Sequence, residues 1–485
     1  MAVRFRTGPR QEGHPDLNGR LQNKHFVVLG GGIAGLAAAR ELLVRGARVS
    51  LVEASSQVGG LARTFERDGF RFDIGGHRFH SNNASVVRWL QELLGDDLLV
   101  VPRQSRIHIR NRFTHYPIRF PGALLIFPPH EAAGMLFSYF VAKIHHGNRE
   151  DVSFEDWVVK RYGQSLYETF FEPYTEKVWG IPCRELSAEW AAHRIGIPSM
   201  WRAIRYAIRP PESTLATTVR QFYYPREGFG MFPAALARDI WARGGRIHTE
   251  TRLSRLEPLS SGMRVTVEHR ENGRQSFDAD AVVSTIPLNY LLEAIPRELG
   301  SREVLDQYGL EYRDIICLFL ALNREKVSDD SWTYFPERHL IFGRTHEPKN
   351  WSREMVPGPD YTSLCVEIFS SRGEEIWNMS DQEICETVVG QMDRIGWISR
   401  RDLMKWWMLR VPYAYPVYRV GYGQKLQRVK EYLAQWPHLH LVGRTGSFRY
   451  MNSDGVVEDV FRFLSETDSA SGSPIETIQE AGRWM

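Results

Sequence analysis

The chain has 485 residues, of which 43% are hydrophobic, 12% aromatic and 25% charged, the composition of a folded protein too long for one ordinary core. Lys and Arg (61) nearly balance Asp and Glu (58) and leave +3, which excludes a general nucleic-acid binder. Four cysteines, Cys183, Cys317, Cys365 and Cys385, form no Cys-x-x-Cys pair. That excludes a disulfide scaffold and a zinc ribbon, and points to a reducing, cytoplasmic setting.

The first 24 residues are polar, read as a mobile arm, and lack the apolar stretch of a secretory signal. His25 to Leu29 is an apolar strand, followed by GGGIAG, a helix LAAARELLVRG ending at Gly46, and a second strand from Arg48 to Glu53. This β-turn-α-β unit opens a doubly wound α/β sheet. RIHIRNRF, within a run of Arg103, Arg106, Arg110, Arg112 and Arg119, alternates as one strand with a basic face: a solvated surface, or a steering face for a phosphorylated substrate. Ala132 to Ile144 is apolar but too short to span a bilayer, so it reads as a core helix, with membrane-surface contact the less favoured alternative. Further strand-like runs lie near 246–256 and at 263–269, 281–288 and 439–443. The expected division is a cofactor domain in three pieces (25–100, 221–290, 436–466), an inserted substrate domain in two (101–220, 291–435), and a loose tail at 467–485.

Gly30, Gly32 and Gly35 follow a strand and open a helix, and Glu53 ends the next strand 18 residues on. Gly30 permits a tight turn, Gly32 lets backbone approach a pyrophosphate, and Gly35 lets helix and strand lie close. Ile33 and Ala34 begin the helix whose N-terminus faces the phosphates, and Glu53 suits the ribose hydroxyls. A second glycine pair, Gly59-Gly60, with Leu61, Ala62 and Arg63, and a third, Gly75-Gly76 with His77, continue the path. No histidine spacing of the HExxH kind occurs, so no metal site is expected.

That extended glycine-rich path resembles the FAD signature of the flavoprotein clan containing amine oxidases, protoporphyrinogen oxidases, carotenoid desaturases and UDP-galactopyranose mutases. LHLVGRTGSFRYMNSDGVVEDVFRFL resembles the clan's last strand, turn and flavin-facing helix, which places Gly443, Asp454, Gly455 and Val456 at the flavin. The resemblance implies FAD and a Rossmann-like, glutathione-reductase-type domain carrying an α+β substrate domain. FDIGGHRFHS, FFEPYTEKVWGIPCRELSAEW, AYPVYRVGY and GRTGSFRY are similar to segments of the mutase branch. From these the resemblance implies substrate roles for Tyr415, Arg444 and Tyr450, for Tyr418 less firmly, and for His77 beside the flavin. Tyr415, Tyr418 and Tyr450 also read as plain packing aromatics, and His77 as a core histidine.

The departures shape the functional expectation. QFYYPREGFGMF stands where the bacterial mutase grips uridine, and the strand RDIICLFLAL holds Arg313 and Asp314 but no lysine of the amine-oxidase kind. The loop after the glycine-rich entry is not that of protoporphyrinogen oxidase, so a heme-pathway role is disfavoured. The expected activity is an FAD-dependent oxidoreductase for an activated sugar or polyprenyl-type phosphate. The alternative is a sugar mutase working through reduced FAD without net redox. A non-catalytic flavin-binding partner is the least favoured reading.

Overall fold

The structure, a computed structural model, describes residues 21–116, 127–146, 150–194 and 221–468. Its first sheet is parallel. Strand β1 (His25–Leu29) pairs in parallel with β2 (Arg48–Val52), and helix α1 (Ile33–Val44) makes the crossover between them. Ala281–Ser284 and Leu439–Leu441 extend the sheet beyond β1, and Arg246–His248 extends it beyond β2. Strands of this kind are hydrophobic on both faces because both are covered. Phe26 and Val28 face a core with Leu36 and Leu42 of α1 and Val457 and Val460 of the last helix (Ser453–Asp468). Val27 and Leu29 join a second core with Val282, Leu291 and Phe448.

The second large sheet has seven strands, in the order Leu403–Pro416, Tyr312–Leu322, Thr362–Ile368, Arg344–His346, Trp332–Tyr334, Ser105–Ile109 and Arg112–His115. At its centre, Ile316–Leu322 pair in unbroken register with Thr362–Ile368, and every residue of the two is buried. Helix Glu172–Trp179 packs beside it. A third, antiparallel sheet holds Thr251–Pro258, Met263–His269 and Gly273–Ala279.

Three sequence expectations change here. The run 246–256 is two strands in two sheets, broken at Glu250, whose φ is +51°. RIHIRNRF is a hairpin, because Arg110 (φ +52°) and Asn111 (φ +59°) form a two-residue turn that suits the strand twist. Nor is its run of arginines a free basic face: Arg106 pairs with Asp330 at 2.7 Å and Arg110 with Glu131 at 2.6 Å, acids distant in sequence. Arg119 lies outside the described residues.

The segment 132–144 falls in helix Pro129–His146, and only one face of that helix is core. Met135, Tyr139 and Ala142 are buried, while Phe137 (71%), Phe140 (56%) and Ile144 (80%) are exposed. The segment is apolar on both faces, and sequence hydrophobicity alone does not separate a doubly packed helix from this one. Among the described residues no helix is long and apolar enough to cross a membrane.

Candidate active site

The cofactor half of the site is built from glycines that differ sharply in what surrounds them. A Cβ on Gly35 would stand 1.9 Å from the Gly30 carbonyl oxygen, so helix and turn touch there. A Cβ on Gly30, at φ +100°, would meet Thr285 Oγ1 at 2.5 Å. A Cβ on Gly32 would meet nothing within 4 Å, and the backbone there is ordinary (φ −74°). Gly32 therefore borders open space rather than satisfying a packing need. Helix α1 starts beside it, with Ile33 and Ala34 in its first turn, no side chain capping it and no acid in that turn. The N–H groups of this first turn and the dipole behind them could receive an anion.

The second glycine pair closes on the first. Gly59 N–H donates to the Gly31 carbonyl at 2.7 Å, and a Cβ on Gly60 would lie 3.3 Å from Gly32 Cα. Gly60, Leu61 and Ala62 form a short helical turn, and Arg63 Nε donates back to the Gly60 carbonyl at 2.9 Å. Glu53 accepts from Gly31 N–H at 2.7 Å and Ser55 N–H at 2.8 Å, so it also ties the glycine turn to the loop after β2. Gly443 joins from the other end of the chain: its Cβ would stand 2.5 Å from Ala34 Cβ, and its N–H donates to Asp459 at 2.9 Å. Asp454, Gly455 and Val456 occupy the first turn of the last helix. Burial pushes the Asp454 carboxyl up to about 6, against the pull of the helix-start N–H groups. A ribose acid, two facing glycine loops, a bare helix N-terminus and open space at Gly32 fit a dinucleotide.

Above this cradle the loop Gly75-Gly76-His77 lies against the second sheet. Gly76 N–H donates to Glu367 at 3.1 Å, and a Cβ on Gly75 would come within 3.3 Å of the Glu367 carboxyl. Glu367 is fully buried and holds Arg344 through two hydrogen bonds, at 2.8 and 2.5 Å. His77 packs 5.6 Å from the Phe229 ring, and its Nδ1 is buried without a partner. Burial, then the positive charges of Arg444 and Arg344, push its pKa down to about 4, so the ring is neutral at physiological pH. His346, stacked on Trp351 at 5.1 Å, is shifted down likewise by burial and Arg344.

Arg444 stands at the centre of an aromatic cup. Its guanidinium carbon is 4.7 Å from the Tyr415 ring centre and 4.5 Å from that of Tyr450. Nη2 donates to the Ala414 carbonyl at 2.7 Å, and Nε is buried without a partner. No carboxylate lies within ion-pair reach of Arg444 among the described residues. Trp179 and Trp190, 4.7 Å apart, back the tyrosines: Trp179 is 6.1 Å from Tyr415, and Trp190 is 5.0 Å from Tyr450. Tyr418 stands behind the cup, with its hydroxyl accepting the Tyr450 N–H and burial raising its pKa to about 12.

Segments distant in sequence thus meet at one place. Sequence reasoning missed Arg344, Glu367 and His346, which belong to no local motif and meet Gly76 and His77 only through sheet pairing. Lys177 and Trp179 lie in the segment FFEPYTEKVWGIPCRELSAEW, where nothing local marks either of them. The Lys177 ammonium donates to the carbonyls of Phe335 (2.8 Å), Glu337 (2.6 Å) and Phe342 (3.1 Å), fastening the Trp179 helix to the sheet.

The sequence pattern described as flavin containing amine oxidoreductase matches residues 33–458. The chain belongs to that family. Its cofactor is FAD, and it is an enzyme of the flavin-dependent oxidoreductase class that acts on a small molecule. Coproporphyrinogen III oxidase of Bacillus subtilis (strain 168) is 23% identical over 455 residues, covering 87% of this chain and 93% of that protein. The chloroplastic protoporphyrinogen oxidase 1 of Spinacia oleracea is 22% identical and covers 85% and 78%. Among solved structures, reduced UDP-galactopyranose mutase superposes with a TM-score of 0.79 at 22% identity, covering 92% of this chain and 98% of that one, a likeness of fold. The open space at Gly32 and the uncapped N-terminus of α1 could hold the FAD pyrophosphate.

Proposed function

We propose that this flavoenzyme is an oxidoreductase for a phosphorylated small molecule, an activated sugar or a polyprenyl-type phosphate, whose phosphate is received by Arg444. The observation that carries the reading is the state of that arginine. A half-buried guanidinium with an orphaned Nε and no acid beside it is costly unless an anion completes it. Guanidinium also matches phosphate with two parallel hydrogen bonds. Tyr415 and Tyr450 would flank the ligand, and Tyr418 would hold Tyr450 from behind. His77 would stay uncharged, so Arg444 is the cation left for the ligand while Arg344 is neutralised by Glu367. Bound FAD supplies the electron acceptor at its N5 edge.

The sugar mutase is the second reading. It is favoured by one observation: the segments similar to the mutase, those of His77, Trp179, Tyr415, Arg444 and Tyr450, converge around one guanidinium. The test is anaerobic mixing of the purified holoprotein with nucleotide sugars and polyprenyl phosphates. An oxidoreductase loses the yellow flavin absorbance on mixing and turns over with an added electron acceptor. A mutase leaves oxidised flavin untouched, and isomerises its substrate only after dithionite reduction. Failure of every phosphorylated compound, with turnover of an uncharged or porphyrin-type substrate, would overturn the phosphate reading.

A further inference from the structure

Asp314 is almost fully buried and has no part in the chemistry described so far, yet it faces a break in the pairing of Tyr312–Leu322 with the edge strand Leu403–Pro416. Arg313 pairs with Tyr415 and Ile315 pairs with Val411, so Pro412, Tyr413 and Ala414 all stand against this one residue. Such bulges bend a strand and re-aim the side chains after it. Tyr413 adopts φ +58°, a conformation that bulky residues rarely take. It is held there from several sides. One Asp314 oxygen accepts the Tyr413 N–H at 2.7 Å, and the other accepts the backbone N–H and Nε of Arg372, both at 3.1 Å. The Arg372 guanidinium lies 4.7 Å over the Tyr413 ring. Ser371 Oγ accepts the Asp314 N–H at 3.2 Å and Arg313 Nη1 at 2.9 Å.

The strained segment leads straight into the cup. The next carbonyl, that of Ala414, receives Arg444 Nη2 at 2.7 Å, and the ring after it, Tyr415, lies beside the same guanidinium. An unbroken ladder would fix which carbonyls of this stretch face the neighbouring strand, the bulge resets that alternation, and strain kept beside a functional site is a pointer to function. We propose that Asp314 is a positioning residue: it locks the 412–414 bulge, so that the Ala414 carbonyl and the Tyr415 ring aim Arg444 into the cup. The inference rests on Arg444 as the anion-binding group.

The test reads Arg444 itself in the holoprotein. Its labelling rate by phenylglyoxal, an arginine-selective dicarbonyl, is followed by peptide mass spectrometry alongside affinity for inorganic pyrophosphate. Asp314→Ala removes the acceptor, whereas Asp314→Asn keeps one for the Tyr413 N–H. Tyr413→Gly tolerates positive φ, whereas Tyr413→Val does not, and both lose the ring. Asp314→Ala and Tyr413→Val should change the Arg444 labelling rate by about tenfold and weaken pyrophosphate binding by a similar factor. Asp314→Asn and Tyr413→Gly should stay near the wild type. If Asp314→Ala fails to retain FAD, the Gly and Val pair at Tyr413 decides alone. Equal labelling of Arg444 in both Tyr413 variants overturns the inference. Absent pyrophosphate binding in the wild type, with the labelling pattern intact, sinks the phosphate reading and leaves the positioning role standing.

Discussion

Tyr415 and Tyr450 lie with their ring centres 6.3 Å apart and their planes within 9° of parallel, though one ends a sheet strand and the other follows the last parallel strand. Arg444 caps both rings. The aromatic faces help hold the cation without an acid, worth about 0.5–2 kcal/mol per ring depending on exposure. A cation held by rings instead of a carboxylate keeps its charge available.

Gly32 and Gly35 should fail differently when substituted. Gly32→Val should leave a folded protein that cannot retain FAD, because its side chain would enter space that only the cofactor needs. Gly35→Ala should lower stability with or without FAD, because its Cβ would overlap the Gly30 carbonyl oxygen at 1.9 Å. Flavin content and melting temperature on the same preparations separate the two, and full flavin retention by Gly32→Val would refute the pyrophosphate placement.

Acid should weaken the fold through His77. Its folded pKa, about 4, lies below the ordinary 6.5, so its contribution is complete above pH 6.5 and is lost as pH falls toward 4. The slope is at most about 1.4 kcal/mol per pH unit for this one group. His440, also pushed down to about 4 by burial, acts in the same direction. Asp73 and Asp454, raised by burial to about 6, act oppositely: their contribution is present at low pH and is lost as pH rises through 6. His77→Asn should therefore flatten the loss of stability between pH 6.5 and 5. Unfolding curves of both proteins at those two pH values test this, and parallel pH dependences would count against a neutral, buried His77.

Lys177→Met should destabilise the enzyme by about 1–3 kcal/mol, since three carbonyls lose their shared donor at once, a donor whose pKa burial lowers to about 7. Denaturant midpoints measure the loss. An unchanged midpoint would mean that water replaces the ammonium at no cost.

How much was readable in advance depends on how local each feature is. The glycine turn, Glu53 and the last helix are legible because each part of the argument lies within a few residues and has one mechanical reason. The cup is legible only as separate segments, and the meeting of Arg444 with Tyr415 and Trp179 is a product of sheet and helix packing. Arg344 and Glu367 are silent in sequence, because their pairing is a cross-strand register of Arg344–His346 with Thr362–Ile368. Arg106 looks unpaired in sequence because Asp330 lies far along the chain. The break at Tyr413 leaves no trace, because tyrosine is a strand former and nothing nearby announces positive φ.

The most direct measurement is the affinity of wild type, Arg444→Lys and Arg444→Ala for inorganic pyrophosphate, with flavin spectrum and melting temperature taken on the same three proteins. The account predicts binding weakened about ten- to a hundredfold in Arg444→Ala and only partly recovered in Arg444→Lys, with spectrum and melting temperature nearly unchanged. Unaltered affinity in Arg444→Ala, or a flavin-poor, unstable protein that binds as tightly per folded molecule, would contradict it.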